Sequence, residues 1–428
     1  MTARRRLAWV AAGVVLAAGC AFAATRLWET QVPGDLHLRD PAATRYFSPS
    51  FLHRAENYEA FLRIDALLSV VALVVVLAIY ARRGAVLTRE SAAGRVGTGM
   101  LLAMLGFGIV WLTQLPFGLA GVWWDRRHDV SKQGYLDWAV SSFLGLGGEF
   151  LFICVAIAVV MGIAAFMKDW WWVLGAPVFV ALALLFTFVS PFLLPDLHPL
   201  KDKRLEAQAR QLEREQGLPK IPVKVEKVKE FTDAPNAEAV GLGPTRRVIL
   251  WDTVTEGGFS RPEVRFILAH ELGHHSRKHL WKSVGWFALI ALPMAFVIAL
   301  ATRRRGGMYS PQAVPVAIFV LVLLQLLVTP AQNAVVRRLE SEADWVALRT
   351  TCQPGAARSS FQRLARKSLS NPDPPGWDVA LLENHPPIIR RIAMADAFQR
   401  RQRIACSQRP PAKPQGGHPW KPQRRPQS

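Results

Sequence analysis

The residues best equipped for chemistry in this chain are two histidines and a glutamate within five positions. Residues 266–274 read Phe-Ile-Leu-Ala-His270-Glu271-Leu-Gly-His274. Histidines at i and i+4 share one face of a helix and can hold one metal ion between them. Imidazole suits zinc. Glu271, one step round the helix, can reach a water activated by that metal and take its proton. The reaction served would be hydrolysis. A bare HExxH also arises by chance, and it is then an ordinary polar helix face.

The motif requires a helix, and the flanking residues provide one. Ser260 is a good N-cap, and Glu263, three residues on, completes a capping box. Pro262 is tolerated in a first turn. A catalytic zinc usually has three protein ligands and one open position. One zincin class would place glycine at 277 and histidine at 280, and the chain has Arg277 and Leu280 there. A carboxylate from a second helix is the other solution. Asn333, Arg337, Glu340 and Asp344 are spaced to share one helical face. We assign Glu340 as the third ligand and Asp344 as a carboxylate that orients a ligand histidine. On spacing alone a solvated charged face accounts for these residues equally well. Glu342 is offset by two residues from Glu340 and faces elsewhere. His275 and His279 are set aside, because three ligands already complete the site.

These helices must be positioned by a membrane. Of 428 residues, 51% are hydrophobic, and they collect in long uncharged runs. Seven runs are candidate spans: Leu7 to Ala24, Ile64 to Ala81, one between Arg95 and Asp125, Trp138 to Met167, Trp170 to Pro195, Ser283 to Ala301 and Ala313 to Thr329. The first reads as a retained span. The net charge of +20 sits in loops and the tail, as expected beside spans, and no nucleic-acid module is present. No nucleic-acid partner is expected. Cys20, Cys154, Cys352 and Cys406 contain no CxxC pair, so no disulfide framework is predicted. The expected order is a transmembrane region over 1–195, a zincin-like segment over 196–282, two spans over 283–330, a helical region over 331–406 and a disordered basic tail over 407–428. Within 196–282, strands are expected at Ile221 to Val228, Asn236 to Gly243 and Arg247 to Trp251. The fold class is thus mostly α, a multi-pass helical bundle of about seven spans carrying a zincin-like α+β catalytic domain.

With these residues in place, the chain resembles the integral-membrane zinc metalloproteases that include type I CAAX prenyl proteases and HtpX-like proteases. His270 to His274 matches the family's zinc motif. Glu340-Ser-Glu-Ala-Asp344 matches its ExxxD motif, with Asn333 and Arg337 ahead of it. Asn236-Ala237 resembles its substrate-pairing edge strand. Asn384-His385-Pro386-Pro387 and Arg391 resemble its HPP region. The resemblance implies that His385 donates to the oxyanion, that Arg391 supports the site, and that the helices enclose a chamber. Val336 and Glu238 depart from the serine and aromatic common at those positions.

The expected activity is zinc-dependent endoproteolysis, with one zinc per chain. The expected setting is a multi-pass protein of the plasma membrane. Expected partners are membrane lipid and peptide or protein substrates, including lipid-modified ones as for CAAX prenyl proteases. Alternatives are a membrane-protein quality-control protease of HtpX type, and a non-catalytic scaffold with structural zinc. Glu271 argues against the scaffold, since a structural site needs no general base.

Overall fold

In a computed structural model, residues 14, 17–39, 41–84, 86, 93–194 and 197–401 are described. Half of the Leu7 to Ala24 run and the whole 407–428 tail fall outside them. Residues 17–27 are helical. The elements that follow are α1 (Pro49–Arg83), α2 (Gly94–Arg127), α3 (Tyr135–Met167), α4 (Trp171–Val189), β1 (Leu197–Pro199), α5 (Lys203–Glu215), β2 (Val223–Glu226), β3 (Ala237–Val240), β4 (Arg247–Trp251), α6 (Arg261–Ser276), α7 (His279–Thr302), α8 (Val314–Thr351), α9 (Pro354–Ser368), α10 (Gly376–Leu381) and α11 (Ile388–Arg401). The protein is mostly helical with one small sheet.

Among the described residues, five stretches are long and apolar enough to cross a bilayer: Pro49–Arg83, Gly94–Arg127, Tyr135–Phe192, His279–Arg305 and Pro311–Thr351. The expectation of about seven is not confirmed over these residues. The fourth and fifth runs fall in one apolar stretch, in which α3 and α4 meet at a short turn around Lys168. Half of the first run lies outside the described residues. Pro116, Pro293 and Pro330 all lie inside continuous helices. Cys20 and Cys154 are free, whereas Cys352, just past α8, is disulfide-bonded. Sequence spacing gave no sign of that bond.

The helices pack at two ends. At one end Leu77 and Tyr80 of α1, Leu102 and Ala103 of α2, Ile157 and Met161 of α3 and Ile318 of α8 form one buried cluster. Val160, Trp171, Ala295, Ala299 and Ala317 form a second beside it. At the other end the largest of the buried clusters gathers Phe51 and Tyr58 of α1, Leu212 of α5, Val248 and Leu250 of β4, Leu268 and Leu272 of α6, Leu348 of α8, Phe361 of α9 and Phe398 of α11. Between the ends, residues 64–76, 107–127, 280–294 and 319–334 contribute no buried side chain.

The sheet order is β1-β2-β4-β3. β4 lies between β2, parallel to it, and β3, antiparallel to it. Its central residues Val248, Ile249 and Leu250 are fully buried, as a strand covered on both faces requires. β3 is left as an edge.

Candidate active site

Two helices build the site. α6 starts where its capping residues direct it: the Ser260 backbone N–H donates to Glu263 Oε2 at 2.6 Å. Leu268, Ala269 and Leu272 anchor one side of α6 with no exposed surface. The opposite side then presents His270, Glu271 and His274. The second helix, α8, runs unbroken from the apolar stretch through Glu340 to Thr351. The last span and the candidate carboxylate therefore belong to one rigid element.

His270, His274 and Glu340 offer ligand atoms that all lie within 4.8 Å of one another. His270 Nε2 and His274 Nε2 are 3.1 Å apart. Glu340 Oε2 is 3.2 Å from His270 Nε2, and Glu340 Oε1 is 3.3 Å from His274 Nε2. Glu340 Oε2 is buried and accepts no hydrogen bond, although buried carboxylate oxygens are normally satisfied. Two imidazoles and an orphaned carboxylate oxygen converging on one point fit a metal ion, with a donor set of two nitrogens and an oxygen.

Around this set lie further groups. His270 Nδ1 donates to Asp344 Oδ1 at 2.8 Å. Arg391 holds Asp344 with two bonds, at 2.8 and 2.7 Å. Burial opposes a charge on His270, but Asp344 and Glu340 outweigh it and lift the group to about 10. Burial lowers His274 to about 3, so it stays neutral. Burial also pushes Glu271 up to about 7, with Glu340 and Glu238 adding to the rise.

The other expected site residues are placed as follows. Asn236, Ala237, Glu271, His385 and Arg391 line one cleft of about 270 Å³ together with His270. His385 Nε2 is 3.4 Å from Glu340 Oε2, and its Nδ1 meets Asn384 Oδ1 at 2.6 Å. Asn333 and Arg337 do not face the metal set. Asn333 Nδ2 donates to the carbonyls of Ala380 and Leu381, and Arg337 Nη1 to those of Val379 and Glu383. They hold the loop that carries His385. His275 turns away and contacts the Arg247 carbonyl at 3.1 Å.

Sequence reasoning passed over Glu342 and His279. Glu342 is fully buried and His279 nearly so, and they meet at 3.1 Å directly behind His274. A sign was present: His279 is the first helical residue after a break, five positions past His274, flanked by the cations Arg277 and Lys282.

Comparison with known proteins bears on this geometry. The model for "Peptidase family M48" matches residues 199–399, which contain every residue of the metal set. An HtpX protease homologue of Acidiphilium cryptum is 30% identical over 213 residues, covering 44% of this chain and 72% of that protein. The chain belongs to peptidase family M48. Another M48-like relative is the "Uncharacterized metalloprotease YhfN" of Bacillus subtilis, 29% identical over 302 residues, 67% of this chain and 71% of the relative. A CAAX prenyl protease 1 homologue of Oryza sativa is 24% identical over 323 residues, 70% of this chain and 74% of the relative. The fold is that of the crystal structure of S. mikatae Ste24p, with a TM-score of 0.73 at 17% identity over 89% of this chain and 97% of that one. As an M48 enzyme with five apolar stretches, the protein is an integral-membrane metalloendopeptidase that acts on peptide or protein substrates.

Proposed function

We propose that this protein is a zinc endopeptidase of the cell membrane, that it cleaves membrane-associated or lipid-modified substrates in the manner of a CAAX prenyl protease, and that His270, His274 and Glu340 hold the zinc. Zinc bound there would polarise the scissile carbonyl and make water a nucleophile at neutral pH. Glu271 takes the proton from the attacking water and passes it to the leaving amine. Its raised affinity for a proton, from burial, suits both halves of that task. His385 donates to the oxyanion, and Asn333 and Arg337 fix its loop. Asp344, locked by Arg391, holds the His270 ring.

One observation carries the substrate reading. The free edge of β3 runs between two different cavities. Ala237 lines the polar cleft with Glu271 and His385. Ala239 lines a second cavity of about 370 Å³ with His274, Glu340, Ala183, Val284 and Phe287, walled by α4, α7 and α8. Residues 237 and 239 fall on the same face of the strand. A peptide added along β3 would pass the metal set and carry an apolar end toward the membrane helices.

The test is cleavage of paired quenched fluorescent peptides, with and without a lipid chain, by detergent-solubilised protein and its Glu271→Gln variant. Both proteins should bind about one zinc. Only the unsubstituted one should cleave, and faster on the lipidated peptide. Zinc binding without cleavage of either peptide would favour the scaffold. Equal rates on the two peptides would favour a quality-control role.

A further inference from the structure

The two histidines of the metal set are supported differently. His270 meets a carboxylate directly. His274 does so through another imidazole, and that arrangement determines which of its nitrogens carries a proton. α6 ends at Ser276, Lys278 takes a left-handed backbone at φ +56°, and α7 starts at His279. The break sets the His279 ring against the edge of the His274 ring, with centroids 4.9 Å apart and planes at 83°. His279 Nδ1 lies 3.1 Å from His274 Nδ1, and His279 Nε2 lies 3.1 Å from Glu342 Oε2.

Glu342 is an acceptor saturated with donors. Arg277 Nε donates to it at 2.7 Å, Lys282 Nζ at 3.0 Å and the Gln31 backbone N–H at 3.0 Å. Two cations keep it a carboxylate, and a carboxylate only accepts. His279 must therefore donate through Nε2–H. In a neutral imidazole the other nitrogen is then an acceptor, so His279 Nδ1 presents a lone pair to His274. Two lone pairs cannot share a 3.1 Å contact, so His274 carries its proton on Nδ1. That leaves His274 Nε2 with a free lone pair, aimed at His270 Nε2 and Glu340 Oε1.

We infer that His279 and Glu342 are positioning residues that fix the ring and the tautomer of His274 so that Nε2 can ligate the metal. The inference rests on the assignment of His274 as a ligand. Glu340, Glu342 and Asp344 all come from α8: the first faces the metal, and the other two each back one histidine. The segment before α1 is tied to the same relay, because Lys282 Nζ also donates to the Glu29 carbonyl and Arg338 Nε to that of Trp28.

The experiment is zinc affinity of the full-length protein in detergent, by competition with a chelator, alongside unfolding of the metal-free forms. His274→Ala should abolish the site. His279→Leu removes the acceptor behind His274 and should weaken zinc 10- to 100-fold, the usual effect of losing a ligand's outer partner. His279→Asn, whose amide oxygen can accept from His274 Nδ1–H, should recover affinity to within about threefold on that same scale. Glu342→Leu should resemble His279→Leu. Metal-free His279→Leu and His279→Asn should unfold at the same temperature. Unchanged affinity in His279→Leu, or equal losses in the leucine and asparagine variants, would overturn the relay. Wild-type affinity in His274→Ala would overturn the ligand assignment beneath it.

Discussion

The catalytic end and the middle of the membrane helices are built from similar apolar residues but packed in opposite ways. In the catalytic end, Leu268, Leu272, Phe266 and Phe361 have at most 1% of their surface exposed. Leu151 in α3 is 69% exposed and Leu327 in α8 is 75% exposed. In water the second set would be a liability, whereas in a bilayer such surfaces meet lipid at no loss. The difference separates two demands on one chain. A metal set must be held within fractions of an ångström, so its helix is locked in a close-packed core. The middle of the bundle holds no such set among the described residues, and its helices meet there through scattered contacts such as Gln114 Nε2 to the Ser69 carbonyl and Trp111 Nε1 to Ser142 Oγ. α8 takes part in both regions, loose over 319–334 and close-packed from Leu339 onward.

The largest effect should come from breaking the close-packed side. Leu268→Ala removes a fully buried side chain one turn behind the metal set and should cost about 2–5 kcal/mol. Unfolding in detergent would show it, and a loss below about 1 kcal/mol would mean that this core is softer than its burial implies. Next comes a residue lining the cleft that the proposed mechanism uses and packing does not. His385 is half exposed, so His385→Ala should leave the unfolding temperature unchanged and lower kcat about 10²- to 10³-fold. A change confined to KM would remove it from the oxyanion.

A smaller effect is expected at the start of α6. Glu263 accepts from the Ser260 N–H and from Arg363 Nε. Burial opposes its charge, but these partners outweigh it and hold its carboxyl below the usual range. A carboxyl depressed in the folded state stabilises the fold above its unfolded value of about 4.3. That contribution fades as pH falls through the folded value. Glu263→Gln should therefore cost about 1 kcal/mol at pH 7 and flatten the stability profile below about pH 4.5. A variant profile parallel to that of the wild type would assign the acid sensitivity to other groups. The smallest change should be Leu151→Ala in the open middle, within about 0.5 kcal/mol. A core-sized loss there would show that α3 is covered in the membrane.

Much of the catalytic end was legible because its signals are local. HExxH needs only the helical period, and the capping box at Ser260 and Glu263 fixes where that period starts. The strand at Arg247 to Trp251 has the bounds expected of it, and the strands near 223–226 and 237–240 are shorter than their patterns. The Asn333–Asp344 face was read as pointing at one site. Over seven residues, however, a helix rises about 10 Å, which takes Asn333 and Arg337 past the metal to the carbonyls of the loop 379–383. The apolar runs were legible too: the break expected between Met167 and Trp170 is where α3 and α4 meet.

The sequence by itself determined the chemistry: two imidazoles and a base on one helical face, a carboxylate on another, and apolar runs that carry both into a membrane. Those features depend on residue type and on contacts within a few positions. The tertiary structure alone decided what stands behind the ligands. Glu342 lies about 200° around the helix from Glu340, so on sequence it faces elsewhere, and it does. That other face of α8 lies against the first turn of α7, where the helix restarts after the break at Lys278. A contact between residues 279 and 342 depends on how two helices cross, and neither helix encodes that crossing within its own length.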